Sequence, residues 1–210
     1  AEDAFGNVSS FIAVNGLVED PIESYRVYLS GYQQSSPVAS RGQGIVDVVL
    51  QGNVMTVEGY FEGMESSLAD QLNGGAHVQI GLAGEDGPIM YSLNVDSGAD
   101  ESSGNINEFE NIFELTNEEL EIIKRKEAYI NIYSDRYSTG ELRGQILPIA
   151  DDYFISALTT SQMQDPDYSL DVGQIVMEVY PDSIWITGAI HHSTNENTNY
   201  ALYVGLAGQE

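Results

Sequence analysis

Ala76-His77-Val78-Gln79-Ile80-Gly81-Leu82-Ala83-Gly84-Glu85-Asp86-Gly87-Pro88 decides how this chain is built. Apolar residues at 76, 78 and 80 alternate with polar ones, the pattern of a strand with one buried face. Glycines at 81, 84 and 87 then turn the chain out of it. The centre of the stretch, Gly81-Leu82-Ala83-Gly84, returns as Gly205-Leu206-Ala207-Gly208. Such a wide repeat points to a duplicated unit.

Upstream, strands are expected at 25–31, 45–50 and 54–61, the last two joined by a turn at Gln51-Gly52-Asn53. Downstream, a strand at 89–95 leads into an acidic loop at 96–110, which ends in a short strand through Ile112 and Phe113. Residues 116–126 form the one helix. Thr116 and Glu119 make a capping box, Lys124, Arg125 and Lys126 face the negative end of the dipole, and Leu120, Ile122 and Ile123 form the buried stripe. Strands at 129–133 and 141–146 finish the unit, and Asp151-Asp152 marks a boundary. A second copy then opens, with 153–158 answering 25–30, 175–179 answering 45–49, 184–188 answering 54–59 and 200–208 answering 76–84. Counterparts of 87–148 are missing from it. The expected organisation is a leader at 1–24, a β domain at 25–150 and a second, partial β domain at 151–210.

The composition agrees with β structure: 21 Gly, 13 Tyr and 42% apolar residues over 210 positions. Without cysteine there is neither disulfide nor thiolate site. Thirty-three acidic residues against seven basic ones leave a net charge of −26. Nucleic acid is excluded as a partner because phosphate neutralisation needs a basic surface. No apolar run is long enough to span a bilayer, so membrane insertion is not expected. The opening Ala1-Glu2-Asp3-Ala4 reads as an end left by signal cleavage, and Asn7-Val8-Ser9 fits a glycosylation acceptor. A secreted, extracellular or cell-surface location follows as the expectation.

Several segments together resemble the chordin-type, or CHRD, domain. They are Tyr25-Arg26-Val27-Tyr28-Leu29-Ser30-Gly31, Val57-Glu58-Gly59-Tyr60-Phe61, Ala76 to Gly81, Gly87-Pro88-Ile89, Leu115-Thr116-Asn117-Glu118-Glu119, Tyr129-Ile130-Asn131-Ile132 and Gly140-Glu141-Leu142-Arg143-Gly144-Gln145-Ile146. The last is similar to the family's Gly-Glu-Ile/Leu-Arg-Gly signature. The resemblance implies a secreted, β-rich domain. The expected fold is therefore all-β with one short helix: two Greek-key-like β-sandwich or barrel domains of CHRD type, the second incomplete. Relatives often carry His-x-His at the opening stretch and a further His after the Tyr-x-Asn-x strand. Here those places hold His77, Gln79 and Tyr133.

No catalytic constellation stands out, and the chain is read as a non-enzyme. His77 is assigned a structural role. Glu141 and Arg143, two apart on one strand face, are expected to form a structural ion pair. No cofactor is required, although calcium suits the carboxylate-rich loops at Asp96, Asp100 and Glu101 and at Asp165 and Asp167. An incomplete unit exposes unpaired backbone, which a strand from another subunit would cover. The leading expectation is therefore an extracellular structural or adhesive protein that polymerises head to tail with itself. Val8, Phe11, Ile12, Val14 and Leu17 would form the donor strand, entering a neighbour's open unit near Val204 and Leu206. The alternative is a monomeric secreted module that binds a protein or glycan.

Overall fold

The computed structural model describes residues 20–99, 101–159 and 172–191. The expected donor strand at 8–17, Asp100, Asp165, Asp167, Val204 and Leu206 lie outside the described residues, as does the whole repeated stretch 200–208.

β1 (Ile22–Ser30), β2 (Gln43–Gln51) and β3 (Val54–Glu62) form an antiparallel meander. Alternate residues point inward and are buried: Tyr25, Val27 and Leu29, then Val46, Val48 and Leu50, then Met55, Val57 and Phe61. The outer face carries the bidentate pair of Arg26 with Asp47 at 2.6 and 2.8 Å. β4 (Ala76–Ile80) and β5 (Ile89–Ser92) are a bulged hairpin around the glycine turn. β6 (Val95–Ser97), β7 (Gly104–Ile106) and β8 (Ile112–Glu114) are short, and the last two pair with β3.

Two expectations change here. The strand expected over 89–95 breaks at Leu93 and Asn94. The Leu93 N–H makes a last in-register bond to Ala76 O, and the Asn94 N–H leaves the ladder for Asn111 Oδ1, both at 2.8 Å. The acidic loop expected over 96–110 is largely a β6–β7 hairpin followed by a 3-10 turn at Glu108–Glu110. Backbone pairing holds this edge, and an edge strand needs no apolar stripe.

α1 (Asn117–Lys124) begins at the expected capping box: Thr116 Oγ1 accepts from the Glu119 N–H and Glu119 Oε2 from the Thr116 N–H. It buries Ile122 and Ile123 against the sheet, with Leu120 packed beside them. β9 (Ala128–Ile132), β10 (Leu142–Gln145) and β11 (Leu147–Pro148) complete the main sheet. Its order is β5-β4-β9-β10-β1-β2-β3-β7-β6, with β11 beside β1 and β8 beside β3. The eleven strands curl into a half-barrel around one apolar core.

β12 (Asp152–Thr159), β13 (Val172–Val179) and β14 (Ile184–His191) form a separate antiparallel sheet in that order. Its register puts Tyr153, Glu178 and Trp185 in one cross-strand row. That row meets the main sheet. The Tyr153 ring stacks on Tyr28 with centroids 3.5 Å apart, and Lys126 Nζ stands 4.9 Å from the Trp185 ring. Tyr180 Oη donates to Pro148 O at 2.9 Å.

Glu178, buried in this row, has its carboxyl pushed up to about 7 by burial, against the smaller opposing effects of Tyr180 and Lys126. An unfolded glutamate titrates near 4.3. The folded chain thus holds a proton that the unfolded chain has released between about pH 4.3 and 7, so Glu178 costs stability as pH rises through that window. The full shift corresponds to roughly 3–4 kcal/mol. Glu178→Gln should therefore raise the unfolding temperature at pH 8 and leave it nearly unchanged at pH 5. Fluorescence of Trp185, the sole tryptophan, reads this sheet directly. Equal destabilisation at both pH values would show that the carboxylate itself is required.

Candidate functional site

Residues 129–133 alternate as in a strand with one wet face, yet all of β9 and β10 is buried. One face is the apolar core. The other is polar and roofed by loops. Register aligns His77, Asn131 and Arg143 in one row across β4, β9 and β10, and Gln79, Tyr129 and Gln145 in the next. Six polar or amphipathic side chains in two adjacent rows leave the interior side of these strands apolar and make their back a hydrogen-bonding surface.

That surface captures the turn after β4. Arg143 Nη2 donates to Leu82 O at 2.8 Å and to Glu85 O at 2.7 Å. Gln145 Nε2 donates to Gly81 O and Lys126 O, both at 2.8 Å, and Gln79 Nε2 to Gly87 O at 3.1 Å. Tyr129 Oη accepts from the Gly87 N–H at 3.1 Å, and its ring lies under the Arg143 guanidinium, 3.6 Å from centroid to Cζ. Gln34 Nε2 ties the loop after β1 to Asn131 Oδ1 at 2.8 Å. The opening glycine turn is held by side chains from strands far away in sequence.

Glu141 and Arg143 do not pair with each other. The ion pair expected from their spacing is replaced by two separate attachments. Glu141, fully buried just before β10, accepts from Ser40 Oγ at 2.5 Å, from the Glu65 N–H at 2.7 Å and from Ser134 Oγ. One carboxylate thus ties together three loops. Arg143 instead stacks on Tyr129 and bonds carbonyls, with Asp86 Oδ1 as its acidic neighbour at 3.6 Å. Burial lowers its affinity for a proton. The glycines of this segment serve close packing. A Cβ on Gly144 would fall 2.4 Å from Tyr28 O, and one on Gly140, at φ +120°, 2.3 Å from Asn131 Oδ1.

His77 is buried, with Nε2 3.3 Å from Asn73 O and its ring edge-on to Tyr133 at 5.1 Å. Desolvation holds its protonation below the ordinary histidine range. Tyr133 Oη donates to Gln79 Oε1 at 3.0 Å, so the three positions singled out by the resemblance do converge. One imidazole, one amide and one phenol are a poor donor set for zinc or copper. Among the calcium candidates, Asp96 sits within β6 and Glu101 in the following turn at φ +54°. No group of three or more such side chains gathers for a cation among the described residues.

Two hollows stand out. An open depression of about 630 Å³ on the outer face of β2 and β3 holds Arg26, Asp47, Glu58 and Glu108. Its charges are engaged with one another: Arg26 with Asp47, and Glu58 with Glu108, whose hydrogen bond raises the Glu58 carboxyl. A smaller pocket of about 230 Å³ lies over β10, lined by Arg143 and Gln145. Sequence reasoning missed Gln34, Asn131 and Gln145. Asn131 and Gln145 signalled themselves only as polar residues at alternate strand positions, and Gln34, in the loop after β1, gave no signal.

Glu141→Gln keeps the shape but turns one acceptor into a donor that faces other donors. Losing charged hydrogen bonds and leaving buried groups unmet should cost about 2–4 kcal/mol. Urea unfolding followed by circular dichroism should show the loss, and Ser40→Ala should show a smaller one, about 1 kcal/mol. An unchanged midpoint for Glu141→Gln would remove the carboxylate from its place as the tie between loops.

No helix among the described residues is long and apolar enough to cross a membrane. No curated protein and no solved structure matches the chain. The CHRD domain matches residues 25–146 in a single copy, more than half of the 210 residues. That span opens within β1 and closes just after β10, enclosing the core, the loop-tying Glu141 and the Arg143 row, and the chain belongs to the CHRD domain family.

Proposed function

We propose that the chain is an extracellular, non-enzymatic binding module whose contact surface is the three-stranded sheet β12-β13-β14. CHRD domains occur in extracellular proteins, which supports the location. The observation that carries the binding reading is the exposed apolar surface of that sheet. Phe154, Ile184 and Ile186 share one face and are between 47% and 56% exposed, while the opposite face carries Tyr153 and Trp185 to the main sheet. Among the described residues, β12 and β14 are also edge strands, with one side of each open to backbone pairing. Exposed apolar residues beside an open edge favour association.

The more specific reading is that the partner is a second copy of this chain. Residues 151–210 would act as a partial second CHRD unit, and the apolar segment 8–17 of a neighbour would add to it as a strand. Repeated head to tail, this contact gives an open filament. With −26 charges per chain, association should strengthen with salt, which screens repulsion between copies. The alternative of a monomeric module for a protein or glycan ligand uses the same surface without self-association.

Sedimentation velocity over a wide concentration range separates the two. Self-assembly predicts concentration-dependent species in the full chain, and monomers or short oligomers after removal of residues 1–17. Phe154→Asp and Ile184→Asp should weaken association at least tenfold, about 1.4 kcal/mol or more. A full chain that stays monomeric at every concentration refutes self-assembly. Long polymers that survive removal of 1–17 refute the donated strand.

A further inference from the structure

We propose that the pocket over β10 binds a small carboxylate bearing a hydroxyl or amine donor, with Arg143 taking the carboxylate and Gln145 the donor. This site lies over β10 and shares only Ile186 with the three-stranded sheet surface. The pocket holds about 230 Å³, and Tyr32, Gln33, Ala83, Gly84 and Ile186 form its walls around the two side chains. That space suits one small acid and is below the usual range for larger ligands.

The polar atoms define the class. Arg143 is 1% exposed and Gln145 is 5% exposed. Arg143 spends Nη2 on Leu82 O and Glu85 O, while its buried Nη1 has no hydrogen-bond partner among the described residues. Gln145 spends Nε2 on Gly81 O and Lys126 O, while its buried Oε1 is likewise without a partner. Buried polar atoms are nearly always bonded, and leaving one unmet costs about 1–3 kcal/mol. Here the two residues that hold an unmet cationic donor and an unmet acceptor both line one hollow, two apart on the same strand face. A plain anion satisfies the first and repels the second. A neutral sugar satisfies the second and leaves the first. An acid with an adjacent O–H or N–H satisfies both.

The guanidinium is fixed before binding. Tyr129 beneath it and two carbonyls beside it hold its plane, so little side-chain entropy is lost on binding. Asp86 is the competitor. Its Oδ1 stands 3.6 Å from Nη1, too far for a hydrogen bond, and accepts instead from Ser35 Oγ at 2.7 Å. The acidic surface at large repels anions, but beyond about 10 Å that field is screened at 0.1 M salt.

The test is NMR titration of the full chain with D-glucuronate, L-lactate and D-glucose, following the Arg143 Nε–H and the Gln145 side-chain amide. Saturable shifts at both groups with glucuronate or lactate, in the millimolar range or tighter, and none with glucose, are expected. Ala83→Glu is an exposed substitution that sets a carboxylate at the pocket wall, and it should weaken binding at least tenfold while Trp185 fluorescence stays unchanged. Asp86→Asn removes the competing charge and should tighten binding about threefold or more. The proposal fails if neither acid gives a saturable shift, if glucose matches the acids, or if Ala83→Glu binds as the parent chain does. Because none of these variants touches Phe154, Ile184 or residues 1–17, failure here leaves self-assembly standing, and the reverse.

Discussion

Everything on the polar side of the main sheet depends on two charges buried at one strand. Glu141 and Arg143 flank Leu142, whose side chain enters the apolar core. A buried charge without partners is far too costly to keep. Each therefore imposes order on whatever surrounds it. Glu141 draws in Ser40, Glu65 and Ser134 from three loops. Arg143 draws in the carbonyls of the 81–88 turn. The loops are fixed because the charges require partners, and the back of β4, β9 and β10 is dry because the loops are fixed.

This arrangement explains why strand positions were legible in the sequence and the site was not. β1 and β3 carry apolar alternation and β2 an apolar run, and the Gln51-Gly52-Asn53 turn joined β2 to β3. The helix followed from Thr116 and Glu119, since a capping box is local chemistry. The partners of Glu141 lie 7, 76 and 101 residues away, and nothing local announces them. Spacing by two put Glu141 and Arg143 together as an ion pair. The structure separates them because each finds better partners among the loops. The β6–β7 hairpin was read as loop for a related reason: an edge strand held by backbone pairing has no apolar signature. The convergence of His77, Gln79 and Tyr133 was visible only through the family resemblance, because β4 and β9 meet through the fold and not through the chain.

The two sheets divide the labour. The half-barrel is the larger frame, its polar back covered by the 81–88 turn and hollowed at the pocket beside Arg143. The three-stranded sheet rests on that frame through the Tyr28–Tyr153 stack, the Lys126 contacts and the Tyr180 hydrogen bond, and presents apolar residues outward. On the proposed reading, recognition falls to the small appended sheet, while the domain that holds the family signature supplies the apolar core.

Amide hydrogen exchange of the full chain, compared between dilute and concentrated solution, tests the central claim most directly. The account predicts that amides of β12 and β14 gain protection as concentration rises, while those of β1, β9 and β10 stay equally protected throughout. Protection in β12 and β14 that does not change with concentration would contradict it.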